Sequence, residues 1–237
     1  MSLAVEPVAS RTRPMAPCEA IDMDAVRRAR YSDDPFPHVV GEGVVRAGAI
    51  DAIRRDFPDI KEPGFFPIAQ VNARGAFADL VAAMESPEFS EAMSDAIRFD
   101  LTPFARFTTV RKISEAGAGR IHTDGKSKIA TALIYLNDEW GAGQGNSQDN
   151  SSGQFRILRG PRDFEDYAAE VPPVMGSLAC FLRSENSWHG HKPFVGERRV
   201  LQMAWLKSDA DAARKSRNHR RSHFLKKLWP FGRGEAM

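Results

Sequence analysis

Three side chains of this sequence have the types and spacing to hold a metal ion while leaving coordination positions open. In Ile121-His122-Thr123-Asp124 an imidazole and a carboxylate stand two residues apart. In extended backbone such a pair projects to one face, so both groups can approach one ion. A second imidazole, His189, comes much later, in Ser187-Trp188-His189-Gly190-His191-Lys192-Pro193-Phe194. Two neutral nitrogens and one carboxylate on one side of an ion suit Fe(II) and leave room for a chelating acid and dioxygen. His191 is two residues from His189 and would share its strand face, so it competes for the third place. A His-x-Asp pair alone arises often by chance, and its weight here depends on what surrounds it. His38, His219 and His223 read as ordinary surface or core histidines.

The elements that must position these groups follow from hydrophobic pattern. Phe107 to Val110, Ile129 to Leu136, Phe155 to Leu158, Ser177 to Leu182 and Val200 to Leu206 are short β-branched, aromatic and aliphatic runs bounded by turn formers. Upstream, Ile50, Ile53 and Phe57 fall at helical spacing, as do Leu80, Val81 and Met84, then Phe89, Met93 and Ile97. Ser86-Pro87 supplies a cap and a first-turn proline for the last of these helices. A helical half followed by short strands predicts an α+β domain in which helices support one side of a sandwich or open barrel. The polar stretch Gly141 to Gly153 reads as a long loop within the strand region.

Of the 237 residues, 42% are hydrophobic and 27% charged, which excludes general disorder. Charge is unevenly spread. Residues 208–237 hold eight Lys/Arg and three Asp/Glu; subtracting these from totals of 33 and 31 leaves 25 and 28 for residues 1–207, a net of −3. The basic tail has an apolar end, Leu228-Trp229-Pro230-Phe231, and reads as a solvated extension whose tip folds back on the body. Its sharper reading is attachment to an anionic surface. Nucleic acid is not an expected partner. Residues 1–34 read as a loose leader without signal-peptide character, 35–207 as the domain (helical support over 35–100, strands over 101–207) and 208–237 as tail. Cys18 and Cys180 are far apart, which argues against a disulfide framework, and no apolar run is long enough to span a bilayer. A cytoplasmic location is expected.

Residues 107–206 resemble the 2-oxoglutarate and Fe(II)-dependent oxygenases, especially their prolyl-hydroxylase-like branch. Four pieces carry the resemblance. Lys112 to Gly119 lead into His122-Thr123-Asp124; a strand ends in Tyr135-Leu136-Asn137, with Trp140 soon after; Ser152-Gly153 opens the strand at Phe155; and Pro173-Val174-Met175-Gly176-Ser177-Leu178 precedes Phe181, Ser187-Trp188-His189, Pro193 and Gly196-Glu197-Arg198. The resemblance implies a double-stranded β-helix (jelly-roll) core and an iron site of His122, Asp124 and His189. The Pro193-Phe194 spacing favours His189 over His191 for the third ligand. It also implies that Arg198 and Tyr135 hold the distal carboxylate of 2-oxoglutarate, a role that a planar guanidinium suits. Arg199 competes with Arg198, and strand alternation lets only one face inward. Lys112 stands where the family commonly has an aromatic residue against 2-oxoglutarate.

Carried over in this way, the reactants are Fe(II), 2-oxoglutarate and O2, with ascorbate as a stimulant. The expected outcome is hydroxylation of a C–H bond with release of succinate and CO2. The substrate is a small molecule or a prolyl or peptidyl group, because fold alone does not choose among them. Substrate contacts are expected from Gly141 to Gly153 and Arg159 to Glu170, since loops on a rigid scaffold usually carry them. Two other readings stand beside this one: a cupin-like divalent-metal hydrolase or isomerase, and a non-catalytic jelly-roll module binding glycan or protein.

Overall fold

The computed structural model describes residues 20–141, 151–215 and 217. Its elements run α1 (Met23–Arg27), β1 (Arg30–Ser32), β2 (His38–Gly41), α2 (Ile50–Asp56), β3 (Phe66–Pro67), α3 (Gly75–Met84), α4 (Pro87–Ile97), β4 (Ala105–Ser114), β5 (Lys128–Tyr135), β6 (Phe155–Leu158), β7 (Tyr167–Val171), β8 (Leu178–Leu182), β9 (His189–Gly190) and β10 (Gly196–Leu206). A seven-stranded sheet has the order β1-β2-β8-β5-β10-β4-β3, and a three-stranded sheet has the order β7-β6-β9. All pairings between these strands are antiparallel. This is the two-sheet architecture of a jelly-roll, with helices backing the larger sheet.

The apolar runs of β5, β8 and β10 are almost unbroken because both faces of the large sheet are covered. On one face Ala130, Ala132 and Ile134 of β5, Leu178 and Cys180 of β8, and Leu201, Met203 and Trp205 of β10 pack with Phe77, Leu80, Met84, Phe89 and Met93 of the helices. On the other, Leu133 and Tyr135, Ala179 and Phe181, and Val200 pack against Phe155, Ile157, Ala169 and Val171 of the small sheet. Period-two alternation therefore sorts each strand into a helix-facing row and an inner row, both buried. The inner row bounds the cavity described below.

The helices form where their caps and periods require. Ser86 accepts from the Phe89 amide at 3.1 Å and Pro87 opens α4. Trp205 stacks on Phe89 with ring centroids 6.3 Å apart, which ties α4 to β10. The helix expected from the spacing of Ile50, Ile53 and Phe57 is α2, preceded by a 3-10 turn at Ala47–Ala49.

Part of the stretch expected as a loose leader is folded. Asp22 caps α1 by accepting from the amides of Asp24 and Ala25, and β1 pairs with β2, so residues 20–34 belong to the fold. A five-residue helix and a three-residue strand are too short to show a period in the sequence. The stretch Arg159 to Glu170 likewise ends inside a strand, since β7 starts at Tyr167. Residues 142–150 of the expected loop, and the tail beyond 217, lie outside the described residues. No helix among the described residues is long and apolar enough to cross a membrane.

Candidate active site

His122, Asp124 and His189 come together although His189 stands 67 positions after His122 and 65 after Asp124 in the sequence. One potential ligand atom from each lies within 4.8 Å of the other two. The approach is built by backbone pairing: His122 and His189 form an antiparallel bridge, with amide-to-carbonyl contacts of 3.1 and 3.0 Å in the two directions. Their rings face each other with centroids 4.3 Å apart. His189 belongs to β9, which pairs with β6, so the bridge adds His122 to the edge of the small sheet.

The orientation of each donor is fixed from behind. His122 Nδ1 bonds the Arg120 carbonyl at 2.8 Å and His189 Nδ1 bonds the Ser187 carbonyl at 2.9 Å. A ring nitrogen facing a carbonyl must carry the proton, and in the neutral form of such a ring Nε2 keeps its lone pair for an ion. Asp124 is buried, and both carboxylate oxygens are held: Lys128 Nζ donates to Oδ1 at 2.8 Å and Thr131 Oγ1 donates to Oδ2 at 2.6 Å. Burial raises its pKa, but Lys128 and His189, with the two hydrogen bonds, outweigh that and hold the carboxyl well below its usual range. Burial pushes His189 down to about 4, against the pull of Asp124, so its ring is neutral at neutral pH. Two neutral nitrogens and an ionised carboxylate are the protonation states that a divalent cation needs. The donor set fits Fe(II).

His191 is not part of this cluster. Its Nδ1 bonds the Lys192 carbonyl at 2.8 Å, and its buried Nε2 has no partner. The ring lies against Gly119, whose φ is +76°; a Cβ there would stand 2.2 Å from the ring. Glycine at 119 is therefore required twice, by conformation and by contact.

A cavity of about 300 Å³ runs from the cluster between the two sheets, lined by Asp124, Thr131, Leu133, Phe155 and Phe181, and farther along by Tyr135, Arg198, Arg111 and Gln202. Arg198 is buried in it and donates from Nη2 to the Tyr135 hydroxyl at 3.2 Å and from Nε to the Gly153 carbonyl at 2.7 Å. A bulge between Glu197 and Val200 sets the alternation that turns Arg198 inward with Val200. Arg199 turns the other way, onto Glu197 and over the Phe57 ring at 5.2 Å. Trp140, which follows the strand ending in Tyr135-Leu136-Asn137, packs on Phe194 with centroids 4.5 Å apart and donates to the Ser152 carbonyl at 3.0 Å, bracing the turn that carries Gly153.

Sequence reasoning missed part of this lining. Lys112 points away from the cavity toward Asp59, 3.8 Å off, and it is Arg111 that faces inward. Buried Val110, packed on the helix side, was the available signal, since its neighbour must face the other way. Thr131 and Lys128, which hold Asp124, were also missed; Thr131 is two and four residues before Leu133 and Tyr135 on the same inner row. Helical residues 209–215 bring Lys215 near this end of the site, where burial and Lys128 lower its pKa against the pull of Asp124.

Residues 108–207 match the model of the 2OG-Fe(II) oxygenase superfamily. A search of the curated proteins finds no match. Among solved structures, a prolyl 4-hydroxylase from Phytophthora capsici is similar at 16% identity and TM-score 0.51, over 87% of this chain and 70% of that one. A prolyl hydroxylase from Trichoplax adhaerens, in complex with a hypoxia inducible factor oxygen degradation domain peptide fragment, is similar at 15% identity and TM-score 0.51, over 81% and 91%. These two likenesses agree on the fold. A Pseudomonas putida prolyl-4-hydroxylase is similar at 20% identity and TM-score 0.47, over 84% and 99%. With the family match lying over the strands that build the cavity, residues 108–207 are a domain of the 2OG-Fe(II) oxygenase superfamily, and its activity is that of an Fe(II)- and 2-oxoglutarate-dependent dioxygenase.

Proposed function

We propose that this dioxygenase hydroxylates an unactivated C–H bond, with His122, Asp124 and His189 as the iron ligands and Arg198 with Tyr135 as the anchor of 2-oxoglutarate. One observation carries the reading: one cavity has the His-Asp-His cluster at one end and a buried guanidinium bonded to a tyrosine hydroxyl at the other. A dicarboxylate with a 2-oxo group is charged at both ends, and the cavity offers a receptor of the right kind for each.

When bound, Fe(II) supplies the redox chemistry that couples reduction of O2 to decarboxylation of the 2-oxo acid. In the overall balance one oxygen atom enters the C–H bond of the substrate and the other enters succinate, with CO2 released. The chain's own groups hold and shield. The Arg120 and Ser187 carbonyls keep the two imidazoles in one tautomer. Thr131 and Lys128 keep Asp124 ionised and in place, and Arg183 Nε fixes the Asp124 carbonyl at 3.1 Å. Arg198 and Tyr135 set the depth at which a distal carboxylate stops, and Phe155, Phe181 and Leu133 exclude water from the space between. Fixing both ends of the co-substrate orients its reactive carbonyl, which is the protein's share of such chemistry.

For the substrate, a prolyl or peptidyl group is supported by the likeness in fold to the prolyl hydroxylase from Trichoplax adhaerens, which was solved with a peptide. The test is anaerobic titration of Fe(II) and then 2-oxoglutarate, followed by O2 with proline-containing peptides and succinate measured as product. A visible charge-transfer band on adding 2-oxoglutarate is expected, and succinate in proportion to hydroxylated peptide. No band would sink the site assignment; a band with succinate but no hydroxylated peptide would sink the substrate.

A further inference from the structure

The cavity holds a second guanidinium that the co-substrate reading does not use. Arg111 on β4 and Tyr135 on β5 are both register partners of Val200 on β10, so the three stand in one row across three adjacent strands. Two interstrand steps put the Arg111 and Tyr135 backbones roughly 10 Å apart, with both side chains on the inner face. Arg198 enters the same end of the cavity and bonds the Tyr135 hydroxyl. Arg111 Nε is buried without a hydrogen-bond partner, and its guanidinium lies 4.1 Å over the Phe65 ring. Among the described residues no carboxylate forms an ion pair with Arg111 or with Arg198, although most other buried or half-buried arginines have one: Arg156 pairs with Glu165 and Glu170, and Arg183 with Glu185.

Two guanidiniums without a carboxylate partner at the inner end of a cavity are costly unless an anion completes them. Burial and the field of Arg198 lower Arg111 to about 10, which still leaves it charged at neutral pH. The neutral ring of His191, its Nε2 offering only a lone pair, cannot supply the anion. The distal carboxylate of the co-substrate, stopped at Tyr135 and Arg198, arrives in the row that Arg111 occupies.

Resting on the co-substrate reading above, we propose that Arg111 is a second binding residue for the distal carboxylate of 2-oxoglutarate, acting with Arg198 and Tyr135. Phe65 fixes the plane of the Arg111 guanidinium by stacking, which leaves its N–H groups for the ligand. The cavity then selects 2-oxo acids that end in an anion more strongly than a single anchor would.

The experiment compares 2-oxoglutarate with 2-oxopentanoate, the five-carbon 2-oxo acid that ends in a methyl group. Both are titrated anaerobically onto the Fe(II)-loaded full chain and followed by the charge-transfer band. The readout is the ratio of the two affinities, which a merely structural role of Arg111 would not move. Arg111→Met is expected to reduce that ratio about tenfold or more, in the same direction as Arg198→Met. Arg111→Lys, which keeps stem and charge should the methionine variant fail to fold, is expected to lose a smaller part of it. An unchanged ratio in the variants, including the case where both affinities fall together, overturns the proposal and gives Arg111 to packing or to the substrate. A wild-type protein that binds neither acid overturns the co-substrate reading itself, and this inference with it.

Discussion

At the scale of single residues, what distinguishes a binding group here is which side chains remain unpaired and where they point. His189 and His191 stand two residues apart and both are buried, yet only His189 joins His122 and Asp124. On the proposed assignment, His122→Ala, Asp124→Ala and His189→Ala each abolish tight Fe(II) binding, while His191→Ala keeps it, as equilibrium dialysis under anaerobic conditions would read. Loss of iron from His191→Ala with retention in His189→Ala would reverse the choice. The same logic separates the arginine pair. Arg198→Ala removes a charge-assisted contact worth about 1.5–3 kcal/mol and should weaken 2-oxoglutarate roughly 10- to 150-fold. Arg199→Ala, which faces Glu197 and Phe57, should leave it nearly unchanged. Titration of each variant decides it, and equal affinity in Arg198→Ala and wild type would remove Arg198 from the site. Sequence pattern narrowed both pairs to two candidates but could not choose, because i and i+2 share a face and the phase of a strand is set by its partners.

At the scale of elements, the strands were legible and the short connecting pieces were not. Runs such as Ile129 to Leu136 are hydrophobic at every position but Thr131 because both faces are buried, so their existence is plain from sequence while the inner row is not. Val110 on the helix face implies Arg111 on the cavity face, a deduction that needs to know which side holds the helices. Helix α1 and strand β1 escaped notice since neither is long enough to repeat. The turn before β6 shows how such a piece can govern a distant side chain. Gly153 has φ +74°, a Cβ on it would stand 2.5 Å from Trp140, and its carbonyl receives the Arg198 Nε–H. Gly153→Ala therefore has two expected effects. Left-handed backbone costs an alanine about 1–2 kcal/mol, visible as a lower midpoint in denaturant. Displacement of the carbonyl also loosens Arg198 and weakens 2-oxoglutarate binding to the Fe(II) form. A variant that is destabilised yet binds 2-oxoglutarate as wild type does would show that the turn does not position Arg198.

At the scale of the whole molecule, the site joins two sheets that have different support. The large sheet is backed by α3 and α4 through Phe77, Leu80, Phe89 and Met93, whereas the small sheet meets it through a thinner inner cluster around Phe155, Phe181 and Leu133. His122 and His189 belong to the small-sheet side, while Tyr135 and Arg198 sit on strands of the large sheet. A ligand chelated to a metal at one end and held by Arg198 at the other thus bridges the two layers. Binding to the folded state alone stabilises by RT ln(1 + [L]/Kd), about 2.7 kcal/mol at a hundredfold excess over Kd, or roughly 5–11 °C for a domain of this size. On the proposed assignment 2-oxoglutarate needs the metal for one of its two attachments, so the shifts should not simply add. Fe(II) alone should raise the melting temperature, 2-oxoglutarate alone should raise it little, and the two together should exceed the sum of both. With 2-oxopentanoate in place of 2-oxoglutarate most of the excess should vanish, since that ligand reaches the metal but not the guanidinium. Anaerobic thermal denaturation with these four additions measures it directly. Strictly additive shifts would mean that the two ends of the cavity bind independently and that no single ligand spans the sheets.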